Sequence, residues 1–237
     1  MNILELFGGS CSFSNVAQEK GHGTFTSDWK QYGKIDYVTD IFDLDISRIP
    51  FDVDFIWASP PCTYFSVASI GHHWHPDHTP KTKEALIGVE IVKKTLSIIK
   101  EINPPLGWLV ENPRGKLRKL GILDNDLLHT VAYCRYGDSR MKPTDLWTSL
   151  KHIWKPRKMC KNGDKCHDYA PRGSMTGTQG LKNAYDRSKV PEELCREVLG
   201  VLEDMVTNKS SIQSYYFKRE QTSYISPSTT PTLSDYS

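Results

Sequence analysis

Residues Ile3 to Phe7 are apolar apart from Glu5 and run into Gly8-Gly9-Ser10, after which Ser12 or Ser14 stands where it can cap a helix reaching to about Lys20. This reads as a strand, a glycine turn and a helix. Two short strands follow near Gly23–Ser27 and Asp36–Val38, each ending on polar residues, Asp28-Trp29 and Thr39-Asp40-Ile41. A fourth, Phe55–Ala58, halts on Pro60-Pro61 and leaves Cys62 in the loop beyond it. Between Lys81 and Ile102 the residues Ala85, Leu86, Val89, Val92, Leu96 and Ile99 recur mostly at steps of three and four, which predicts an amphipathic helix that Asn103-Pro104-Pro105 stops. Leu106–Val110 then reads as a buried strand carrying Glu111-Asn112-Pro113 at its end. Strands at His129–Tyr133 and Asp145–Ser149 flank a Tyr136-Gly137-Asp138 turn, and Pro191 opens a last helix to about Val206. No internal repeat is visible.

This β/α alternation predicts a Rossmann-like α/β fold, a mostly parallel sheet with helices on both faces. Residues 155 to 188 show no periodicity and read as a small irregular insertion. The predicted division is a catalytic and cofactor-binding domain at 1–150, a short basic recognition insertion at 151–188, a closing helix of the catalytic domain at 189–206, and a poorly ordered Ser/Thr/Tyr-rich tail at 207–237. A chain of 237 residues suits one substantial domain. No apolar run approaches the roughly 18 residues of a membrane span, and the first residues lack the pattern of a signal peptide, so a cytosolic protein is expected, in the host cytoplasm for a viral chain. Six cysteines, at 11, 62, 134, 160, 166 and 195, then favour thiols, a metal site or catalysis over disulfides. The net charge of +2 permits a nucleic-acid partner without demanding one. From Lys142 to Arg172 lysines and arginines cluster around Trp147 and Trp154, either as a nucleic-acid surface or as a solvated face.

The chemistry gathers at the predicted strand ends. A thiol just past the carboxyl end of a buried strand lies where open α/β sheets bind ligands, so Cys62 is a candidate nucleophile. The Gly8-Gly9 turn would let a ligand approach backbone N–H groups. Asp28 is placed to accept from ribose hydroxyls, Trp29 to cover a purine face, and Asp40 to accept from an exocyclic amine; each acid has the alternative of a cap or turn residue. Glu111 is expected at the same sheet edge as Cys62. Burial would raise its pKa and keep it available as an acid, while nearby cations or helix N-termini would lower that of Cys62.

Phe7 with Gly9, the Asp28-Trp29 pair, Asp40-Ile41, Pro60-Pro61-Cys62 followed by Phe65-Ser66, and Glu111-Asn112, in this order and spacing, resemble the DNA cytosine-5 methyltransferases. The resemblance covers about residues 1 to 150 and the closing helix. It implies an S-adenosylmethionine-dependent methyltransferase fold in which Phe7, Gly9, Ser10, Cys11 and Pro60 lie at the cofactor, Asp28 and Trp29 hold its ribose and adenine, and Asp40 and Ile41 contact the adenine. It also implies that Cys62 adds to C6 of a flipped cytosine while Glu111 serves N3, that Asn112 fixes the two loops, and that Arg140 or Lys142 binds the cytosine O2 or a phosphate. The implied partner is double-stranded DNA, met by a monomer. This sequence departs from the family pattern at Cys11, where a further glycine is usual, in Glu111-Asn112-Pro113, and in Arg140-Met141-Lys142, which replaces a Gln-Arg-x-Arg-like motif. Arg187-Ser188-Lys189 stands where a Gly-Asn-Ser motif is usual. With so short an insertion the chain reads as a compact member of viral or phage type, with short-context specificity. The alternatives are the same chemistry on RNA or with a modified donor, and a catalytically silent relative that binds nucleic acid.

Within the insertion, Cys160, Cys166 and His167 surround an Asn-Gly turn and could hold a structural zinc, with Cys134 or Cys195 as a fourth ligand. The alternative is reduced thiols packing the insertion against the sheet. Arg172-Gly173-Ser174 and Gly177-Thr178-Gln179-Gly180 offer donors to phosphates.

Overall fold

The computed structural model describes residues 1–67, 69–161, 163–168 and 183–208. The expected tail from 209 onward and the phosphate donors expected at Arg172-Gly173-Ser174 and Gly177-Thr178-Gln179-Gly180 lie outside the described residues. Seven strands, β1 (Asn2–Leu6), β2 (Gly23–Asp28), β3 (Tyr37–Val38), β4 (Phe55–Ala58), β5 (Gly107–Pro113), β6 (Leu128–Ala132) and β7 (Pro143–Thr148), form one sheet in the order β3-β2-β1-β4-β5-β7-β6. The pairs from β3 to β5 are parallel, and β7 runs antiparallel to both β5 and β6. This is the Rossmann-like methyltransferase architecture, mostly parallel as expected, with one reversed strand that the alternation did not signal.

Each inner strand sends alternate side chains to opposite faces, and the two faces are separate cores. Ile3, Phe55, Trp57, Leu109 and Leu146 pack beneath helices α1 (Ser12–Glu19) and α5 (Glu192–Thr207). Leu4, Leu6, Ile56, Ala58, Val110 and Trp147 face helix α3 (Lys83–Ile102). The apolar stripe of α3 supplies Ala85, Val89, Val92 and Ile99 to that second core. Thr82 Oγ1 accepts from Ala85 N at 3.2 Å to start the helix, and Asn103, at φ 46°, ends it before Pro104.

The connections from β2 to β4 and from β5 to β6 contain 3₁₀ turns, in which Asp40, Asp45 and Asp124 each accept from an amide two residues on. Two expectations about elements change. Thr207 belongs to the last helix instead of the tail. Trp147 and Trp154 are core residues, the latter donating to Glu197 of α5 at 2.9 Å, so they contribute no aromatic surface to the basic stretch.

Neither Ser12 nor Ser14 caps α1. The helix begins at Cys11, which has a φ of 51° and makes no side-chain cap. Its first amides turn back to the sheet instead: Glu5 accepts from Ser14 N at 2.7 Å and from Phe13 N at 3.4 Å. A strand residue thereby takes the capping role, and the carboxylate meets the positive end of the helix. Burial nevertheless pushes the Glu5 pKa up to about 7, against the lowering by those hydrogen bonds.

A carboxyl whose folded pKa is raised favours the fold while protonated. The contribution of Glu5 is therefore fully present below its unfolded value of 4.5 and is lost as pH rises through about 7. A displacement of that size corresponds to roughly 3 kcal/mol. Urea unfolding should show wild type losing about that much stability relative to Glu5→Gln between pH 4.5 and 8. Parallel pH profiles for the two proteins would contradict this assignment.

Candidate active site

The carboxyl ends of β4 and β5 build the site. After Ala58 the chain turns at Ser59-Pro60-Pro61, and Ser59 N still donates to Leu6 O at 3.2 Å. Asn112, fully buried on β5, donates from Nδ2 to Pro60 O at 2.9 Å and so ties the proline loop to the next strand. Cys62, half-buried, starts a tight turn in which Phe65 N and Ser66 N both donate to its carbonyl at 3.0 Å. The far side of that turn is held by Lys116 N, which donates to Phe65 O at 2.8 Å. A Cβ on Gly115 would lie 2.2 Å from Phe65 O, so only glycine lets the two segments approach.

Glu111, the β5 residue before Asn112, is buried, and its Oε1 accepts from Tyr133 Oη at 2.9 Å. Lys142 Nζ lies 4.0 Å from the same oxygen, sits 4.4 Å from the centre of the Tyr133 ring and donates to Arg187 O at 3.0 Å. Lys142 holds this position from a φ of 24°, a strained conformation for a side-chain-bearing residue. Burial lowers the Lys142 pKa, opposed by Glu111 and Cys62. Of the two basic candidates, only Lys142 faces the carboxylate. Arg140 is buried and forked onto the Asp138 carboxylate, and it also donates to the carbonyls of Asp186 and Arg187.

The thiol departs from expectation. Burial pushes the Cys62 pKa up and Glu111 adds to it; Lys142 and Arg187 pull it down without prevailing.

Beside Cys62 a cavity of about 320 Å³ opens, lined by Phe7, Asp28, Trp29, Asp40 and Ile41 of the predicted cofactor residues, together with Ser27, Thr39, Pro61, Thr63, Tyr64 and Ile91. Asp28, at the end of β2, accepts from Gly9 N at 3.0 Å, which the φ of 43° at Gly9 allows, and Trp29 next to it is largely exposed. Asp40 lines the cavity while bonding Phe42 N at 3.0 Å, so it is a cap as well. Gly9, Ser10, Cys11 and Pro60 do not line the cavity. The Gly9 amide is already used by Asp28, the Ser10 hydroxyl pairs with that of Ser12 at 2.7 Å, Cys11 is buried, and the Pro60 carbonyl is taken by Asn112. A larger cavity of about 590 Å³, bordered by Ile46, Phe51, Val53 and Ile102, lies at the amino ends of the strands, away from these groups.

A second cluster lies apart from the thiol and carboxylate. Cys160, Cys166 and His167 gather with Cys134, all four ligand atoms within 4.8 Å of one another. Cys195 is buried in the core under α1 and α5 instead. Sequence reasoning missed Tyr133 as the partner of Glu111, Arg187 as a charge acting on Cys62, and Glu5 as the α1 cap. The last had a signal, a lone acid inside an apolar strand.

No protein-family model matches the chain. Among solved structures, the Dnmt2 methyltransferase of S. pombe is similar with a TM-score of 0.36 and 15% identity over 62% of this chain and 48% of its own, and a DNMT2 mutant of Spodoptera frugiperda with a TM-score of 0.37 and 18% identity over 67% and 53%. The chain spans about half the length of these two solved structures. A protein of Frog virus 3 (isolate Goorha) named "Probable DNA (cytosine-5)-methyltransferase" is 30% identical over 174 residues, which cover 70% of this chain and 78% of that relative. At that identity over most of the viral protein, the chain belongs to the DNA cytosine-5 methyltransferase family.

Proposed function

We propose that this chain methylates C5 of a cytosine in double-stranded DNA, with Cys62 as nucleophile and Glu111 as the group that serves N3. The observation that carries the reading is the meeting of a thiol, a buried carboxyl group and a single buried ammonium group at the ends of β4 and β5, beside the cavity of Asp28, Trp29 and Asp40. DNA is preferred over RNA because the viral relative is named for DNA.

The cavity fits S-adenosylmethionine in size and lining. Asp28 keeps carboxylate lone pairs beyond those used by Gly9 N and Lys30 N, as hydroxyl recognition requires, and the exposed indole of Trp29 offers a stacking face. When bound there, the sulfonium supplies an electrophilic methyl group. The chain's own residues prepare the acceptor. A cytosine swung out of the duplex brings C6 to Cys62 and N3 to Glu111. As Cys62 gives its proton to solvent and the thiolate adds to C6, a proton relayed by Glu111 to N3 lets the ring electrons flow to C5, which becomes the nucleophile. After transfer, loss of the C5 proton to water expels Cys62, N3 gives up its proton and the aromatic ring is restored. Lys142 faces the same space and supplies positive charge for O2.

The raised pKa of Cys62 then has a purpose in the sequence of events. With no base present the thiol keeps its proton, so the site is not a free nucleophile. Lys142, whose Nζ lies 4.0 Å from Glu111 Oε1, is placed to offset negative charge on that carboxyl group while it serves N3.

Duplex DNA containing 5-fluorocytosine should form a covalent complex with the chain in the presence of S-adenosylmethionine, because fluorine cannot leave as the C5 proton does. The complex should be absent for Cys62→Ala and fall at least tenfold for Glu111→Gln, read on denaturing gels. A complex on RNA alone would overturn the DNA assignment, and none on either nucleic acid would overturn the reaction.

Alkylation of Cys62 by iodoacetamide, followed peptide by peptide, tests the electrostatics without substrate. Its rate should rise with pH to an inflection above the ordinary thiol value of 9.0. Glu111→Gln should move the inflection down and Lys142→Met should move it up. An unchanged inflection in both variants would remove the coupling from the account.

A further inference from the structure

We propose that Cys134, Cys160, Cys166 and His167 bind one structural zinc ion that clamps the insertion to the base of the β6–β7 connection. The four groups come from two segments. Cys134 stands two residues after β6, while the other three belong to an irregular stretch from which Met159, Cys160 and Cys166 pack in a small cluster with Ala132, Cys134 and Met141. Sγ of Cys134 lies 3.2 Å from that of Cys160 and 3.6 Å from that of Cys166, and His167 Nδ1 lies 3.8 Å from Cys160 Sγ and 3.5 Å from Cys166 Sγ. A tetrahedral zinc with bonds of about 2.3 Å to sulfur and about 2.0 Å to nitrogen has edges of roughly 3.8 Å between sulfurs and roughly 3.5 Å from sulfur to nitrogen. Three of these four separations fall within about 0.3 Å of those edges, the Cys134 to Cys160 pair is about 0.6 Å shorter, and all six pairs lie within 4.8 Å.

A disulfide between two of these thiols would leave the third cysteine and the histidine without a shared role, whereas a closed Cys₃His set uses all four. The chain around them is shaped for it. Lys161 N donates to Asp164 Oδ2 at 2.8 Å and Asp164 N to Lys161 O at 3.1 Å, which closes the turn that returns Cys166 toward Cys160. Asp168 N then donates to Ser139 O at 2.8 Å, so the stretch leaves the cluster lying against the segment that carries Arg140 and Lys142. On binding, the three thiols release three protons to solvent and His167 ligates as the neutral imidazole through Nδ1. Cys134 adjoins Tyr133, the hydrogen-bond donor to Glu111, so the ion would brace that end of the active site without touching a reacting atom.

The full chain, purified under reducing conditions, should contain one zinc per molecule by elemental analysis, and Cys62→Ser should contain the same amount. Cys160→Ser and Cys166→Ser should retain less than a fifth of it. Should those variants misfold, the wild-type chain loaded with Co²⁺ decides: it should show the intense visible d–d bands of a tetrahedral site and the near-ultraviolet thiolate charge-transfer band, both abolished by added zinc. A folded, reduced chain with neither zinc nor those bands overturns the proposal, as does a Cys134–Cys160 disulfide in the protein as isolated. Because metal content is read without methyl transfer, failure of this proposal and failure of the proposed reaction are told apart.

Discussion

A carboxyl group held out of water at the end of an inner strand must be compensated by neighbours, and the site is organised around that demand at Glu111. Glu111 is buried one residue beyond the last position that β5 pairs with β4, Val110, and opposite Leu146 of β7. The antiparallel return through β6 and β7 brings Tyr133 to the carboxylate as a hydrogen-bond donor and Lys142 as a cation, two groups that a further parallel strand would not have delivered from the same hairpin. Asn112, the next residue along, uses its amide to hold Pro60 and with it the start of the Cys62 turn. Adjacent positions on one strand thus carry the buried carboxyl group and hold the loop that bears the thiol.

The second consequence is electrostatic. Burial disfavours the charged forms of Cys62 and Lys142, so the thiol is pushed up and the ammonium is pushed down. Glu111 adds to the rise at Cys62 and opposes the fall at Lys142, while Lys142 opposes the rise at Cys62.

Much of this was legible in the residues. The buried runs Phe55–Ala58 and Leu106–Val110 announced inner strands, and the polar residues immediately after them announced the site, because a strand's carboxyl end is where the chain first escapes the core. The period of three and four in α3 gave its extent to within two residues. What stayed hidden depends on distant parts of the chain meeting. Tyr133 contacts Glu111 through the reversed direction of β7, which local alternation does not encode. That Lys142 lies beside Glu111 while Arg140 does not depends on Asp138, whose carboxylate captures the arginine two residues away. The sign of the Cys62 shift required weighing burial against Lys142 and Arg187, neither of which is near it in sequence. The cysteines of the insertion suggested a metal, but choosing Cys134 over Cys195 required knowing that Cys195 points into the core under α5.

The central claim is that Cys62 and its surroundings make a working cytosine C5 methyltransferase, and bisulfite sequencing of DNA from cells expressing the chain tests it most directly. The account predicts cytosines that resist conversion in a short recurring context with the wild-type chain and none with Cys62→Ala expressed to the same level. Complete conversion with the folded wild-type protein, or equal resistance with the Cys62→Ala variant, would contradict it.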